Sequence, residues 1–118
     1  MKSSRLNNKI LGDAGEMLAL AVYLESGYKC LEHSWSTATG EIDLIVARNN
    51  LLVFVEVKFR SSNYFGSAAS SVDWRKQAQV RKTAQQWLAQ NSEFYSEIRF
   101  DVATVDLENR VEIIEACF

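Results

Sequence analysis

Three charged residues interrupt a strand pair that is otherwise apolar. They are Asp43, Glu56 and Lys58, within GEIDLIVARNNLLVFVEVKFR at positions 40–60. Ile42, Leu44 and Val46 alternate with Asp43, Ile45 and Ala47, and Leu51 to Val57 is apolar except for Glu56. Asn49-Asn50 lies between the runs, and asparagine tolerates the positive φ of a tight hairpin. With a two-residue loop, paired numbers sum to 99, so Asp43 falls opposite Glu56 and Glu41 opposite Lys58. Directly opposed residues share a face with Cβ atoms about 4.5–5.5 Å apart, and two carboxylates that close repel. A divalent cation would compensate, and carboxylate oxygens suit Mg²⁺ or Mn²⁺. Lys58 lies two residues beyond Glu56 on the same side and reaches the same site. A slip of one residue would move Asp43 to the other face. The alternative is an exposed sheet face with ordinary charges. Val53, Val55 and Val57 disfavour it, because an interior strand rarely buries carboxylates without partners.

The elements around this pair can be placed from periodicity. A helix is expected to begin near Asn8 to Leu11 and run to about Ser26, with Gly27 as its C-cap and residues 1–8 as a flexible tail. Its centre, AGEMLALAVYL, is apolar nearly all round, as in a buried helix. Glu16 is its only charge between Asp13 and Glu25, and on a helical wheel it aligns with Gly12, Ala19, Leu20 and Tyr23. A carboxylate on such a face either points at the metal site or serves the helix dipole in the first turn.

Tyr28 to Trp35 reads as a strand, with Tyr28, Cys30 and Leu31 inward and Lys29 and Glu32 outward. Gly40 suits a close approach where the chain enters the hairpin. The loop from Ser61 to Ser71 carries Tyr64 and Phe65, which either stack on unpaired bases or tuck onto the core. A second helix is expected from a Ser70 or Ser71 N-cap, with Asp73 in its first turn, to about Gln90. Trp74, Ala78, Ala84, Trp87 and Leu88 supply its apolar side, and Arg75, Gln79, Lys82 and Gln86 a polar side suited to phosphates. Strands follow at Ile98 to Asp106 and Arg110 to Cys117. The order α-β-β-β-α-β-β describes a layered α/β or α+β domain with a mixed sheet.

One domain is expected from 118 residues without proline, and 47% hydrophobic residues suffice for a core. The net charge of −2 argues against indiscriminate nucleic-acid binding. Yet residues 57–82 hold Lys58, Arg60, Arg75, Lys76, Arg81 and Lys82 against Asp73 alone, a local +5 that leaves −7 for the rest. A basic segment beside an acidic metal site suits a phosphate backbone, and a solvated helix face is the competing reading. Cys30 and Cys117 have no partners at zinc-site spacing and read as small buried hydrophobes. The lone His33 reads as a structural or surface residue. Asp13 and Glu16 interrupt any signal-peptide apolar region, no run is long enough to span a bilayer, and a cytoplasmic chain is expected.

Gly15-Glu16, GEIDLI at 40–45, FVEVKFR at 54–60, Lys76 with Arg81, and RFDV at 99–102 together resemble the YraN-like family of small bacterial proteins. That family is assigned to the PD-(D/E)XK nuclease superfamily and is similar in fold to archaeal Holliday-junction resolvases. The resemblance spans roughly residues 11–106. It implies a restriction-endonuclease-like α-β-β-β-α-β core, with a mixed sheet flanked by helices. Asp43, Glu56 and Lys58 match the motif residues, and Glu16 matches the first-helix glutamate. Lys76 or Gln77 corresponds to the polar residue of the second helix. The loop before Gly40 lacks the arginine of the family pattern, and Phe59 replaces a small polar residue. The implied activity is a metal-dependent endonuclease acting on structured or branched DNA. Asp43 and Glu56 would hold Mg²⁺ or Mn²⁺, and Arg60, Arg75, Lys76, Arg81 and Lys82 would meet the DNA. The alternative is a non-catalytic nucleic-acid-binding or adaptor protein on the same fold. Action as a homodimer through the C-terminal VEIIEACF, or beside a protein partner, also stays open.

Overall fold

The computed structural model describes residues 3–60 and 72–118. Tyr64 and Phe65, and the expected serine N-cap, lie outside the described residues. The elements are α1 (Ser3–Glu25), β1 (Lys29–Ser36), β2 (Glu41–Arg48), β3 (Leu51–Phe59), α2 (Trp74–Gln90), β4 (Glu97–Val105) and β5 (Val111–Ile114). The order is the one expected, although α1 starts at Ser3, within the stretch expected to be a tail.

The five strands form one mixed sheet in the order β1-β2-β3-β4-β5. Among the described residues only β3 and β4 run parallel, with α2 in the crossover between them. The β2–β3 hairpin pairs Arg48 with Leu51 and steps to Leu44 with Val55, the register that a two-residue Asn49-Asn50 loop dictates. Asn49 has φ 55°, the left-handed conformation that asparagine tolerates.

The helices cover opposite faces of the sheet. Leu44, Val46, Val53 and Val55 pack with Ala19, Leu20 and Tyr23 of α1. Ile45, Ala47, Leu52 and Phe54 pack with Val80, Ala84 and Trp87 of α2. Consecutive strand residues thus serve opposite layers, which explains why Leu52 to Val55 is apolar without alternation.

Several expectations about side-chain direction are corrected. Helix α1 is not buried all round: Met17 and Leu24 are exposed, because one sheet covers one face only. Gly27, at φ 90°, does end it as expected. In α2, Asp73 is itself the N-cap, its carboxylate accepting from the Lys76 amide. Trp74 and Ala78 are exposed, and Val80 and Thr83 take the buried places with Ala84 and Trp87. The latter four share one helical stripe, from which Trp74 and Ala78 are turned away. Cys30 is exposed rather than buried, and Cys117 is half-buried. Cys30 pairs with buried Val46, but β1 is an edge of the sheet and leaves it open to solvent.

Candidate active site at the end of the central hairpin

Asp43 and Glu56 lie one step beyond the last β2–β3 pair, Leu44 with Val55. Ile42 packs with the α2 layer and Leu44 with the α1 layer, although an unbroken strand would turn both to one face. The alternation therefore breaks at Asp43. Its Oδ2 accepts the backbone N–H of Val57 at 2.8 Å, so the side chain takes up the sheet donor where backbone pairing stops.

Glu56 is 3% exposed on an interior strand. Its Oε2 is 3.7 Å from Lys76 Nζ, and its Oε1 is buried without a hydrogen-bond partner among the described residues. Burial raises the carboxyl to a pKa of about 8, and the neighbouring charge of Asp43 adds to the rise. Burial also raises Asp43, opposed by the Val57 N–H and by Lys76 and Lys58. Both lysines therefore act on both carboxyls, one from β3 and one from α2. Gln77, the alternative for that second-helix position, instead donates to the Val72 carbonyl.

Glu16 approaches from α1. Its pKa is raised by burial and then by the charge of Asp43, which places it within electrostatic reach of the pair. His33, read from the sequence as a structural or surface residue, and Ser34, not singled out there, hold it. His33 Nε2 is 2.8 Å from Glu16 Oε1, and Ser34 Oγ donates to the same oxygen at 2.9 Å. The only signal for them was a polar His-Ser pair inside a strand, and their target is 17 and 18 residues away.

Among the described residues, no three His, Cys, Asp or Glu side chains converge as a complete cation cage. Mg²⁺ does not require one, since it keeps several waters and binds through one or two carboxylates. An adjacent carboxylate pair with one buried oxygen lacking a partner is a donor set that fits such an ion.

The basic residues are dispersed. Lys76 enters the site, while Arg75 lies over the Trp74 ring at 5.2 Å. Arg81 covers Phe100 and Phe118, Lys82 is exposed, and Arg60 Nη1 is 3.8 Å from Glu112. The polar stripe of α2 does not present a uniform phosphate-facing side. Gln79 donates to the Thr39 carbonyl, and Gln86 bonds both Thr37 and Thr39. These bonds tie down the loop that enters β2. A Cβ on Gly40 would meet the Gln79 side chain at 2.9 Å, the close approach expected there.

Residues 15–105 match the family model described as "Uncharacterised protein family UPF0102". The chain belongs to the UPF0102 family. This is the YraN-like family of the sequence resemblance. A UPF0102 protein of Photobacterium profundum is 41% identical over 102 residues, covering 85% of this chain and 82% of the relative. One from Alkaliphilus oremlandii is 42% identical, covering 85% and 87% respectively. One from Moorella thermoacetica is 38% identical over 112 residues, covering 91% and 93%. The matched UPF0102 segment contains Glu16, His33, Ser34, Asp43, Glu56, Lys58 and Lys76, and ends with β4. The mixed α+β sheet is compatible with the restriction-endonuclease-like core of the PD-(D/E)XK superfamily. Among the described residues, no helix is long and apolar enough to cross a membrane.

Proposed function

We propose that this UPF0102 chain is a metal-dependent endonuclease that hydrolyses phosphodiester bonds in DNA, with structured or branched DNA as its substrate class. The observation that carries the reading is the buried oxygen of Glu56, without a partner among the described residues and set beside Asp43 and two lysines. Asp43 and Glu56 would hold Mg²⁺ or Mn²⁺, with the Val57 carbonyl as a further donor. The bound ion would lower the pKa of water and offset negative charge on the phosphate. Lys58 and Lys76 supply positive charge where the phosphate becomes more anionic. Glu16 orients the attacking water from the helix side. Arg75 and Lys82, both exposed, and Arg60 offer charge to the flanking backbone.

The test is incubation with fluorescent linear, single-stranded, flapped and four-way-junction DNA in Mg²⁺ or Mn²⁺. Cleavage lost both in EDTA and in Asp43→Ala is the expected result, and the preferred DNA names the substrate. The second reading, a non-catalytic DNA-binding module, draws support from the bond between Asp43 and the Val57 N–H, a purely structural use of that carboxylate. DNA binding that survives EDTA and Asp43→Ala, without cleavage, would select it. Strand β5 is an edge of the sheet, and pairing between two copies along it would give a homodimer suited to a two-fold junction. A monomer by light scattering at high concentration would remove that arrangement.

A further inference from the structure

Strand β1 departs from regular geometry where it passes the candidate site. It pairs His33 with Leu44 and Trp35 with Ile42, which sets Ser34 across from Asp43. Ser34 has φ 54°, in the left-handed region. Such a φ is uncommon for a residue other than glycine and persists only where the surroundings hold it. In an unbroken strand, adjacent side chains point to opposite faces, so His33 and Ser34 could not touch one group. Here both reach Oε1 of Glu16, at 2.8 and 2.9 Å. The backbone distortion is what brings two consecutive side chains onto one carboxylate oxygen. With Glu16 ionised, His33 Nε2 carries the proton and donates, as the Ser34 hydroxyl does. Glu16 Oε2 has no hydrogen-bond partner among the described residues, and the carboxyl lies within reach of the Asp43 charge.

We propose that His33 and Ser34 are positioning residues: together they clamp Oε1 of Glu16 and present Oε2 to the attacking water at the Asp43–Glu56 centre. The proposal rests on the metal-site reading above. It assigns a task to a histidine and a serine that touch neither the cation nor the DNA. Two donors on one oxygen fix both the position and the rotation of a carboxylate, which a single bond cannot do. Partners of this outer kind typically contribute about 10–100-fold to metal affinity or activity.

The experiment is Mn²⁺ titration of the whole chain without DNA, read by the electron paramagnetic resonance of free Mn²⁺ and by water-proton relaxation of the bound ion. Asp43→Ala tests the underlying reading. If wild type binds no Mn²⁺, or Asp43→Ala binds like wild type, that reading fails and the clamp with it. If Asp43→Ala loses Mn²⁺, the remaining variants judge the clamp alone. His33→Ala, Ser34→Gly and Glu16→Gln are each expected to weaken Mn²⁺ by about tenfold and to change the relaxation of the bound waters. Ser34→Gly also relieves the left-handed backbone, so its effect will not come from added strain. His33→Gln retains an N–H donor and is expected to recover most of the loss. In a Glu16→Gln background, His33→Ala is expected to add nothing. Wild-type affinity and relaxation in His33→Ala and Ser34→Gly would overturn the proposal. So would an undiminished effect of His33→Ala in the Glu16→Gln background, which would mark a merely structural role.

Discussion

Replacing Glu56 by glutamine is expected to make the metal-free protein more stable at alkaline pH. Glu56 is buried, and its pKa is raised from 4.5 to about 8, first by burial and then by Asp43. The sign follows from proton linkage. Between these two values the folded state holds a proton that the unfolded state has released, so stability falls as pH rises. The contribution is fully present below pH 4.5 and is lost by the time pH passes about 8. At about 1.4 kcal/mol per tenfold, the gap sets a ceiling of about 5 kcal/mol. Relaxation and water penetration reduce such penalties, so about 2–3 kcal/mol is expected. Glutamine keeps the shape of the protonated acid and cannot ionise. Its oxygen can face Lys76 and its amide can face Asp43. Urea unfolding in EDTA, followed by tryptophan fluorescence, measures the difference. The variant should match wild type near pH 4.5 and exceed it by about 2–3 kcal/mol at pH 9. Adding Mg²⁺ should stabilise wild type and not the variant, because on the proposed function the ion would bind only the folded carboxylate pair. A variant less stable than wild type by the same amount at every pH would refute the reasoning. Glu56 would then be an ion held charged by Lys76, with burial a minor influence.

Other perturbations separate the fold from the site. Asp43→Asn keeps an oxygen for the Val57 N–H and removes the charge, so unfolding free energy should stay within about 1 kcal/mol while Mg²⁺-dependent protection in thermal melts disappears. Gly40→Ala brings a Cβ to 2.9 Å from Gln79 and should cost about 1–2 kcal/mol in urea unfolding, because Gln79 is held by the Thr39 carbonyl. In a Gln79→Ala background that cost should fall below about 0.5 kcal/mol, and additivity would contradict the contact. Asp101 is fully buried, takes a bidentate bond from Arg99 and accepts from Tyr23 Oη and the Ala116 N–H. Asp101→Ala should cost about 3–5 kcal/mol, because it breaks the bidentate pair and leaves the Tyr23 hydroxyl and the Ala116 N–H without their acceptor, with Tyr28 and Glu115 remaining to Arg99, and an unchanged urea midpoint would contradict this.

Local pattern was enough for the hairpin and for the placing of its two carboxylates. Two apolar runs around Asn49-Asn50 admit a two-residue turn, and a turn of that length leaves one register, which holds from Arg48–Leu51 to Leu44–Val55 and leaves Asp43 and Glu56 one step beyond its last pair. The element order was legible for the same reason, since periodicity and caps are relations between residues a few positions apart. What sequence could not supply was the direction of side chains set by packing between distant elements. Lys76 reaches Glu56 because Val80, Ala84 and Trp87 fix the rotation of α2 against the sheet. Trp74 and Ala78, equally apolar by type, were turned outward by that same packing. His33 and Ser34 meet Glu16 only because β1 slips at Cys30/Glu32 and bends at Ser34, and both irregularities break the period-2 rule that strand reading depends on. The carboxylate pair was therefore written in the order of residues along the chain. Lys58 of β3 apart, its neighbours were decided by the tertiary structure, because they come from α1, β1 and α2, whose approach depends on long-range packing and not on spacing.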